Sequence, residues 1–258
     1  MLAEMHLVAL TGWPSPVEQA AAALARRSGL TPYDARTRLS GEPPRVAAIL
    51  ADFVAAEALV AGLVADGFSA SVLSVAGVEH DADRDLVSGL SFGPDAIAFT
   101  LRGGRTREVR YAAIALIVRG VRATSSTVVE ESTSKKFSAG RAILSGGLIM
   151  RKTTTTTTSR TDEARESFAY FYEAGRGPAL AIYEHRLDYR FLGAAIAPAA
   201  SANFGLVLRK VRERAPGARY DERLVRPPGF GAMPLAPSGA DANEWRSDVA
   251  AAVIALGV

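Results

Sequence analysis

The sequence contains no cysteine among its 258 residues. That absence excludes disulfide bonds, thiolate catalysis, cysteine-ligated zinc sites and iron–sulfur clusters. The sequence also lacks an apolar run of about 18 residues, which a membrane-spanning helix needs. Its first ten residues place an acid ahead of the apolar positions and have no basic segment, unlike a secretory signal peptide. We therefore expect a cytoplasmic protein.

The motifs of common catalytic and phosphate-binding sites are missing too. The sequence has no G-x-G-x-x-G, no glycine-rich loop that ends in Gly-Lys-Ser/Thr, and no G-x-S-x-G. Ser132 and Lys135 match an S-x-x-K pattern, but that chemistry needs the serine at a helix start and the stretch is strand-like. Glu184, His185 and Asp188 could form an acid–base group, yet no nucleophile accompanies them. The sequence predicts no catalytic residue and no cofactor.

Acidic residues at alternate positions follow the first third of the chain. Asp81, Asp83 and Asp85 match the first half of a calcium-binding loop. The sixth position of that loop is Leu86 instead of glycine, and the twelfth is Phe92 instead of glutamate. The pattern therefore predicts no metal site and favours a solvated linker over residues 77–91.

The net charge of +3 is unevenly distributed along the chain. Residues 1–91 have 6 basic and 11 acidic side chains, whereas residues 102–152 have 11 basic and 3 acidic ones. The basic segment could attract phosphates, anionic lipids or an acidic protein, or it could be a solvated sheet face. Aromatic residues suited to base stacking do not alternate with its arginines, which argues against a nucleic-acid partner.

Residues 1–76 predict a small domain of helices packed on a sheet. Apolar runs typical of strands occupy residues 6–10 and 69–75. Start and stop signals between them predict three helices, over residues 15–28, 31–39 and 53–66. Ser15 is the predicted cap of the first helix, Gly29 its stop signal, and Thr31 the start of the second. Residues 45–51 are apolar but short, and could form a strand or a loop. The predicted order is strand, helix, helix, helix, strand.

Three segments of this domain carry a resemblance to a known family. They are residues 29–36 (GLTPYDAR), 56–59 (AEAL) and 65–72 (ADGFSASV). Together they look like the C-terminal domain of the stalk protein of the large ribosomal subunit, a fold also used by the adaptor of the N-end-rule protease. The resemblance implies a domain that docks other proteins.

In the stalk family, translation factors dock on the first helix through apolar and basic side chains. The matching apolar positions here are Ala21, Ala22 and Ala25. The basic residues of this domain lie instead at Arg26, Arg27, Arg36 and Arg38, which form a second candidate interaction surface. Because Thr31 and Pro32 replace the family's glycine-rich turn, we expect the fold and protein docking but not the family's translation-factor partners.

From residue 92 onward the apolar period changes to two, which predicts a β-rich domain over residues 92–226. Its strands include residues 96–101, 107–111, 169–173 and 179–183, and a helix over about 202–215 ends the region. Antiparallel strands closed by a C-terminal helix, with the segment VRYAAI at 109–114, look like a bacterial pleckstrin-homology-like domain. That resemblance implies a platform for peptides or lipid headgroups.

A long hairpin is predicted at residues 122–162, because the Thr/Ser-rich segments on its two sides match in composition. We call residues 136–151 the hairpin tip. Its apolar residues and the adjoining cations are Phe137, Ile143, Leu144, Leu148 and Ile149, with Lys135, Lys136, Arg141, Arg151 and Lys152. Three alternatives stay open: the tip is core, it docks a partner or a second copy, or it enters an anionic membrane surface. Each such cation contributes about 1 kcal/mol at an anionic surface.

The tail, residues 227–258, predicts a Pro/Gly linker and a helix that Asp241 opens. The helix either docks on the body or serves as a tethered motif for a partner's groove. Taken together, the sequence predicts an α+β protein that is a non-enzymatic adaptor or scaffold, with a protein partner or self-association through the hairpin tip. The alternative is a peripheral membrane protein that uses the same tip.

Overall fold

The structure is a computed structural model that describes residues 5–137, 151–226, 236 and 241–256. The chain divides into two compact units. The body comprises Met1–Arg122 and Glu166–Val258, and the arm comprises Ala123–Arg165. Helices and strands are both abundant, which confirms the α+β class. In the part of the chain that is described, no helix is long and apolar enough to cross a membrane.

A three-stranded antiparallel sheet forms the first part of the body, in the strand order β2-β1-β3. Its elements are β1 (His6–Gly12), α1 (Val17–Ser28), α2 (Pro32–Arg38), β2 (Arg45–Leu50), α3 (Phe53–Ala65) and β3 (Ser69–Ser74). The two predicted strands and three predicted helices are all present. The segment that sequence left undecided between strand and loop forms β2, which pairs with β1 through contacts such as Leu7 with Ile49.

The helix signals of this region act as the sequence predicts, with one exception. Gly29 follows α1 in a left-handed conformation with a φ of 71°, and the Thr31 hydroxyl accepts a hydrogen bond from the Asp34 N–H at 3.1 Å. The predicted cap by Ser15 is wrong. The helix begins at Val17, so Pro16 takes the capping position and no side chain caps the first turn.

A seven-stranded mixed sheet forms the second part of the body, in the order β10-β7-β8-β9-β4-β5-β6. Its strands are β4 (Asp85–Phe92), β5 (Ala96–Leu101), β6 (Thr106–Arg110), β7 (Ile114–Phe137), β8 (Arg151–Glu173), β9 (Arg176–Tyr183) and β10 (Arg219–Leu224). The sequence predicted antiparallel strands, and the sheet is mixed because β10 pairs parallel to β7 and β4 pairs parallel to β9.

The predicted linker over residues 77–91 needs correction, because β4 begins within it at Asp85. Val87 and Leu90 are buried in the core, and Leu90 lies opposite Phe99 of β5. The acids between Glu79 and Asp85 concealed this strand, since they suggested a solvated segment. The predicted division into domains at residues 76 and 92 stays a prediction.

Two helices complete the body: α4 (Ala200–Arg214) and α5 (Ala242–Ala255). The predicted closing helix is α4, which buries Phe204, Val207 and Val211 in the same core as Phe99 and Phe171. Its presence confirms the prediction that a helix packs on the β-rich region. Each of these aromatic and aliphatic side chains contributes about 1.5–3 kcal/mol by leaving water.

The tail helix α5 packs on the body, as the first of the two predicted alternatives states, and is not a tethered motif for a partner's groove. Trp245, Val249 and Val253 share a cluster with Leu7 and Val46 of the small sheet. Another part of α5 packs on the large sheet, through Ala250, Ala251 and Ile254. Asp241 caps the helix as predicted, because its carboxylate accepts from the backbone N–H groups of Asn243 and Glu244 at 2.8 and 2.9 Å.

The arm consists of the second part of β7 and the first part of β8. These strands are neighbours in the sheet. The predicted extent of the hairpin, 122–162, stays a prediction. Residues 138–150 lie outside the described residues, and with them most of the hairpin tip, including Arg141, Ile143, Leu144, Leu148 and Ile149. The proposed roles of the tip and of Phe137, Lys135, Lys136, Arg151 and Lys152 beside it therefore stay predictions.

Candidate protein-interaction surface

The helix α3 is apolar on nearly every side. It contains a single charged residue, Glu57, among its 13 residues. Asp52 starts the helix, since its carboxylate accepts from the Val54 N–H at 2.9 Å. Gly67, with a φ of 87°, allows the chain to turn into β3 directly after the helix. A helix of this composition is ordinarily buried all round.

Only one side of α3 is buried, by Ala56 and Leu63. On the other side Phe53, Val54 and Val64 are 47, 71 and 52% exposed. Ala58 and Ala61 are exposed as well. We call Phe53, Val54, Ala58, Ala61 and Val64 the α3 face. Glu57 is exposed on the same side of the helix, one turn from Phe53 and from Ala61. An exposed surface rich in apolar residues marks an interaction site or an aggregation liability.

Sequence periodicity misplaced part of this helix. Phe53, Ala56, Leu63 and Val64 recur at helical spacing in the sequence, which predicts that they share one buried face. In the structure Phe53 and Val64 are half-exposed. The informative signal was the scarcity of polar residues. A helix that packs on one side of a small sheet needs polar residues on its other side, and α3 has only Glu57.

The four arginines predicted for docking have different roles. Arg27 forms a two-bond ion pair with Asp66 at 2.9 and 3.1 Å, which ties the end of α1 to the end of α3. Arg38 donates a hydrogen bond to the Ala47 carbonyl of β2. Arg26 and Arg36 are exposed to solvent. The structure therefore gives Arg27 and Arg38 intramolecular partners, although Arg27 is exposed like Arg26 and Arg36.

The body also contains a buried ion cluster, which sequence reasoning missed. Arg84 and Arg122 are 6 and 2% exposed, and Asp248 of α5 is fully buried. The Arg84 guanidinium lies 2.7 Å from Asp248 and 3.3 Å from Asp81. Arg122 pairs with Asp81 at 3.0 Å and with Glu244 at 2.9 Å. The cluster joins the turn before β4 to β7 and α5, so it fixes the tail helix in place.

Two tyrosines complete the cluster. The Tyr170 hydroxyl accepts from Arg122 at 2.8 Å, and the Tyr183 hydroxyl donates to Asp81. Burial raises the pKa of Tyr170 to about 12, so it stays a neutral phenol. Burial alone would raise the pKa of Asp81, but hydrogen bonds from Arg122 and Tyr183 and the nearby positive charges hold that pKa below its usual range. The cluster is thus a set of ionised pairs satisfied by neutral hydroxyls.

At the edge of the cluster, His80 lies between α5 and solvent. Its Nδ1 is 2.9 Å from an oxygen of Asp248, and its ring stacks on Trp245 with the centroids 5.1 Å apart. His80, Arg84 and Arg122 thus all hold Asp248, and with it the tail helix, against the body. We interpret this cluster as structural, because each of its carboxylates is paired with a cation.

The acid–base group considered in the sequence does not assemble. Glu184 is buried and accepts from the Ser167 N–H at 3.3 Å, whereas Asp188 pairs with Arg190 at 2.5 Å. His185 is exposed, and its backbone N–H donates to Glu166 at 3.1 Å. Both carboxylates therefore have partners other than the imidazole.

The chain matches no protein-family model, no curated protein and no solved structure. The resemblances to the ribosomal stalk domain and to the bacterial pleckstrin-homology-like domain consequently stay predictions.

Proposed function

We propose that the protein is a non-enzymatic cytoplasmic scaffold that self-associates through the α3 face. The observation that carries the proposal is the exposure of Phe53, Val54 and Val64 on a helix with one charged residue. Burying this surface against another chain would remove apolar area from water, which stabilises association by about 25 cal/mol per Å². The resemblance to a protein-docking family supports the same class of function.

A second copy of the chain is the partner that best fits this face. Association of two identical surfaces about a twofold axis is the commonest form of oligomer. Like charges would oppose each other across such an axis, and on this side of α3 the only charged residue is Glu57, which the interface would have to place at its rim. Ala58 and Ala61 near its middle are small enough for two helices to approach closely. The proposed interface is therefore α3 packed on its symmetry mate.

A charge placed in the α3 face should abolish association without unfolding the body. Val54→Asp puts a carboxylate on the most exposed apolar residue of the helix. In the first turn that charge favours the helix, whereas in an apolar interface it would weaken binding by about tenfold or more. Light scattering at increasing protein concentration measures the mass of wild type and variant. We expect wild type to reach the dimer mass and Val54→Asp to remain a monomer.

Two further variants separate the α3 face from other surfaces. Tyr33→Asp changes an apolar residue of α2 that is 78% exposed, and it should leave the dimer intact. The double variant Ile143→Asp/Leu144→Asp tests self-association through the hairpin tip. If the tip variant is monomeric and Val54→Asp is a dimer, the interface lies at the tip and the α3 proposal is wrong. A wild type that stays monomeric at every concentration also contradicts it.

Peripheral membrane binding through the hairpin tip is the second proposal. The sequence places five cations beside apolar residues there: Lys135, Lys136, Arg141, Arg151 and Lys152. Such a segment binds anionic lipids more strongly than neutral ones. Under this proposal the protein sediments with vesicles that contain phosphatidylserine but not with phosphatidylcholine vesicles, and Ile143→Asp/Leu144→Asp abolishes sedimentation. Equal sedimentation with both vesicles, or none, contradicts it.

A further inference from the structure

The strands β4 and β9 separate after a short parallel contact. They pair only where Asp85 lies opposite Leu180 and Leu86 opposite Ala181. Beyond that point β4 continues to Phe92, and the loop after β9 crosses back so that the Asp188 N–H donates to the Ser88 carbonyl at 2.8 Å. A cavity of about 250 Å³ lies where the strands part. We call it the strand-gap cavity.

The lining of the strand-gap cavity combines an apolar floor with cations. Its residues are Leu86, Val87, Ser88, Arg102, Tyr183 and Arg186. No acidic residue is among them. The volume is below the range of about 300–1,000 Å³ that is typical of pockets for drug-sized ligands. The cavity therefore fits a small molecule with an apolar part and a negative charge.

The two arginines differ in how they are held. Arg186 is positioned, because its guanidinium lies 4.4 Å from the centre of the Tyr183 ring and 3.4 Å from Glu166. Its second, longer ion pair is with Asp81 at 3.9 Å. Arg102 is exposed, and among the described residues no carboxylate lies within ion-pair distance of it. Arg186 is thus held in one orientation by Tyr183 and Glu166, whereas the Arg102 guanidinium has no carboxylate partner among the described residues.

We propose that the strand-gap cavity binds a small carboxylate with an apolar body. A guanidinium matches the two oxygens of a carboxylate in a planar, two-bond arrangement. Arg102 and Arg186 would hold the carboxylate, and Leu86, Val87 and the Tyr183 ring would contact the apolar part. Such a ligand could be a free organic acid or the carboxyl terminus of a peptide, since both have the same chemistry. This site is separate from the α3 face, and neither proposal depends on the other.

Phenylacetate and its uncharged counterpart phenylacetamide test the proposal by calorimetric titration of the full chain. We expect phenylacetate to bind at least about tenfold more tightly than the amide, because only the carboxylate can form a charge-assisted hydrogen bond with an arginine. Arg102→Ala should weaken phenylacetate binding by about tenfold or more. Arg26→Ala, which removes an exposed arginine far from this cavity in sequence, should not change it. The Arg102 variant leaves Arg186 and its contacts intact, so a folding defect is not expected.

A second titration distinguishes the two sources of the carboxylate. N-acetylglycylphenylalanine has a free carboxyl terminus and the same phenyl group. Tighter binding than phenylacetate assigns the site to peptide termini, and weaker binding assigns it to a free acid. The proposal is overturned if neither compound binds, if acid and amide bind equally, or if Arg102→Ala binds phenylacetate as wild type does.

Discussion

Replacing Asp248 with alanine should destabilise the body by about 3–5 kcal/mol, the usual result of removing one partner from a buried ion pair. The carboxylate is fully buried and lies 2.7 Å from Arg84, 2.9 Å from His80 and 3.7 Å from Arg122. Without it, two buried guanidinium groups lose a negative charge that water cannot replace. Urea unfolding followed by circular dichroism measures the difference in the free energy of unfolding.

Asp188→Ala is the matched control for this prediction. It also removes an aspartate paired with an arginine, but the side chains of Arg190 and Asp188 are 89 and 44% exposed. Exposed pairs contribute about 0–1 kcal/mol, so this variant should unfold close to wild type. If Asp248→Ala and Asp188→Ala unfold alike, the buried cluster does not hold α5 in the way described above.

Gly120→Ala should lower the free energy of unfolding by about 1–3 kcal/mol, the usual effect of adding atoms to a packed core. An added methyl at residue 120 would lie 2.3 Å from Cζ of Phe168 and 2.8 Å from Cβ of Leu224. Phe168 is fully buried, and Leu224 is paired with Gly120 across the β10–β7 contact. Neither neighbour can move without disturbing the sheet. The free energy of unfolding in urea again measures the loss.

The same substitution at Gly205 should increase the free energy of unfolding, whereas Gly120→Ala decreases it. Gly205 lies within α4, and apart from its chain neighbours and the helix's own backbone no described atom lies within 4 Å of an added methyl there. Alanine in a helix interior is favoured over glycine by about 0.5–1 kcal/mol. A Gly120→Ala variant as stable as Gly205→Ala would show that Phe168 has room to move, contrary to the packing described for the core.

Local signals predicted much of the fold. Gly29, Thr31 and Asp241 mark helix ends by chemistry that acts within four residues, and each of them acts in the structure as the sequence indicated. The strand β4 was missed because Asp81, Asp83 and Asp85 made its start look solvated. Asp81 has a distant partner, since Arg122 is 41 residues from it along the chain.

The buried cluster and the α3 face could not be predicted in the same way. Arg84 and Asp248 are 164 residues apart, and only the docking of α5 brings them together. The exposure of Val54 and Val64 depends on which side of α3 the small sheet covers. A periodic pattern defines a face only when polar residues mark the other side, and α3 lacks them. Tertiary packing therefore decides what the pattern leaves open.

The most direct test of the proposed function is a cross-link between two copies at the α3 face. The chain has no cysteine, so a single introduced thiol reports on one position. Ala61→Cys places it near the middle of the α3 face, and Ala112→Cys places it on an exposed residue of the large-sheet region. After treatment with a short bifunctional maleimide, denaturing gel electrophoresis measures covalent dimer. We predict dimer for Ala61→Cys and monomer for Ala112→Cys. Equal yields for the two variants, or no dimer for Ala61→Cys, would contradict self-association through α3.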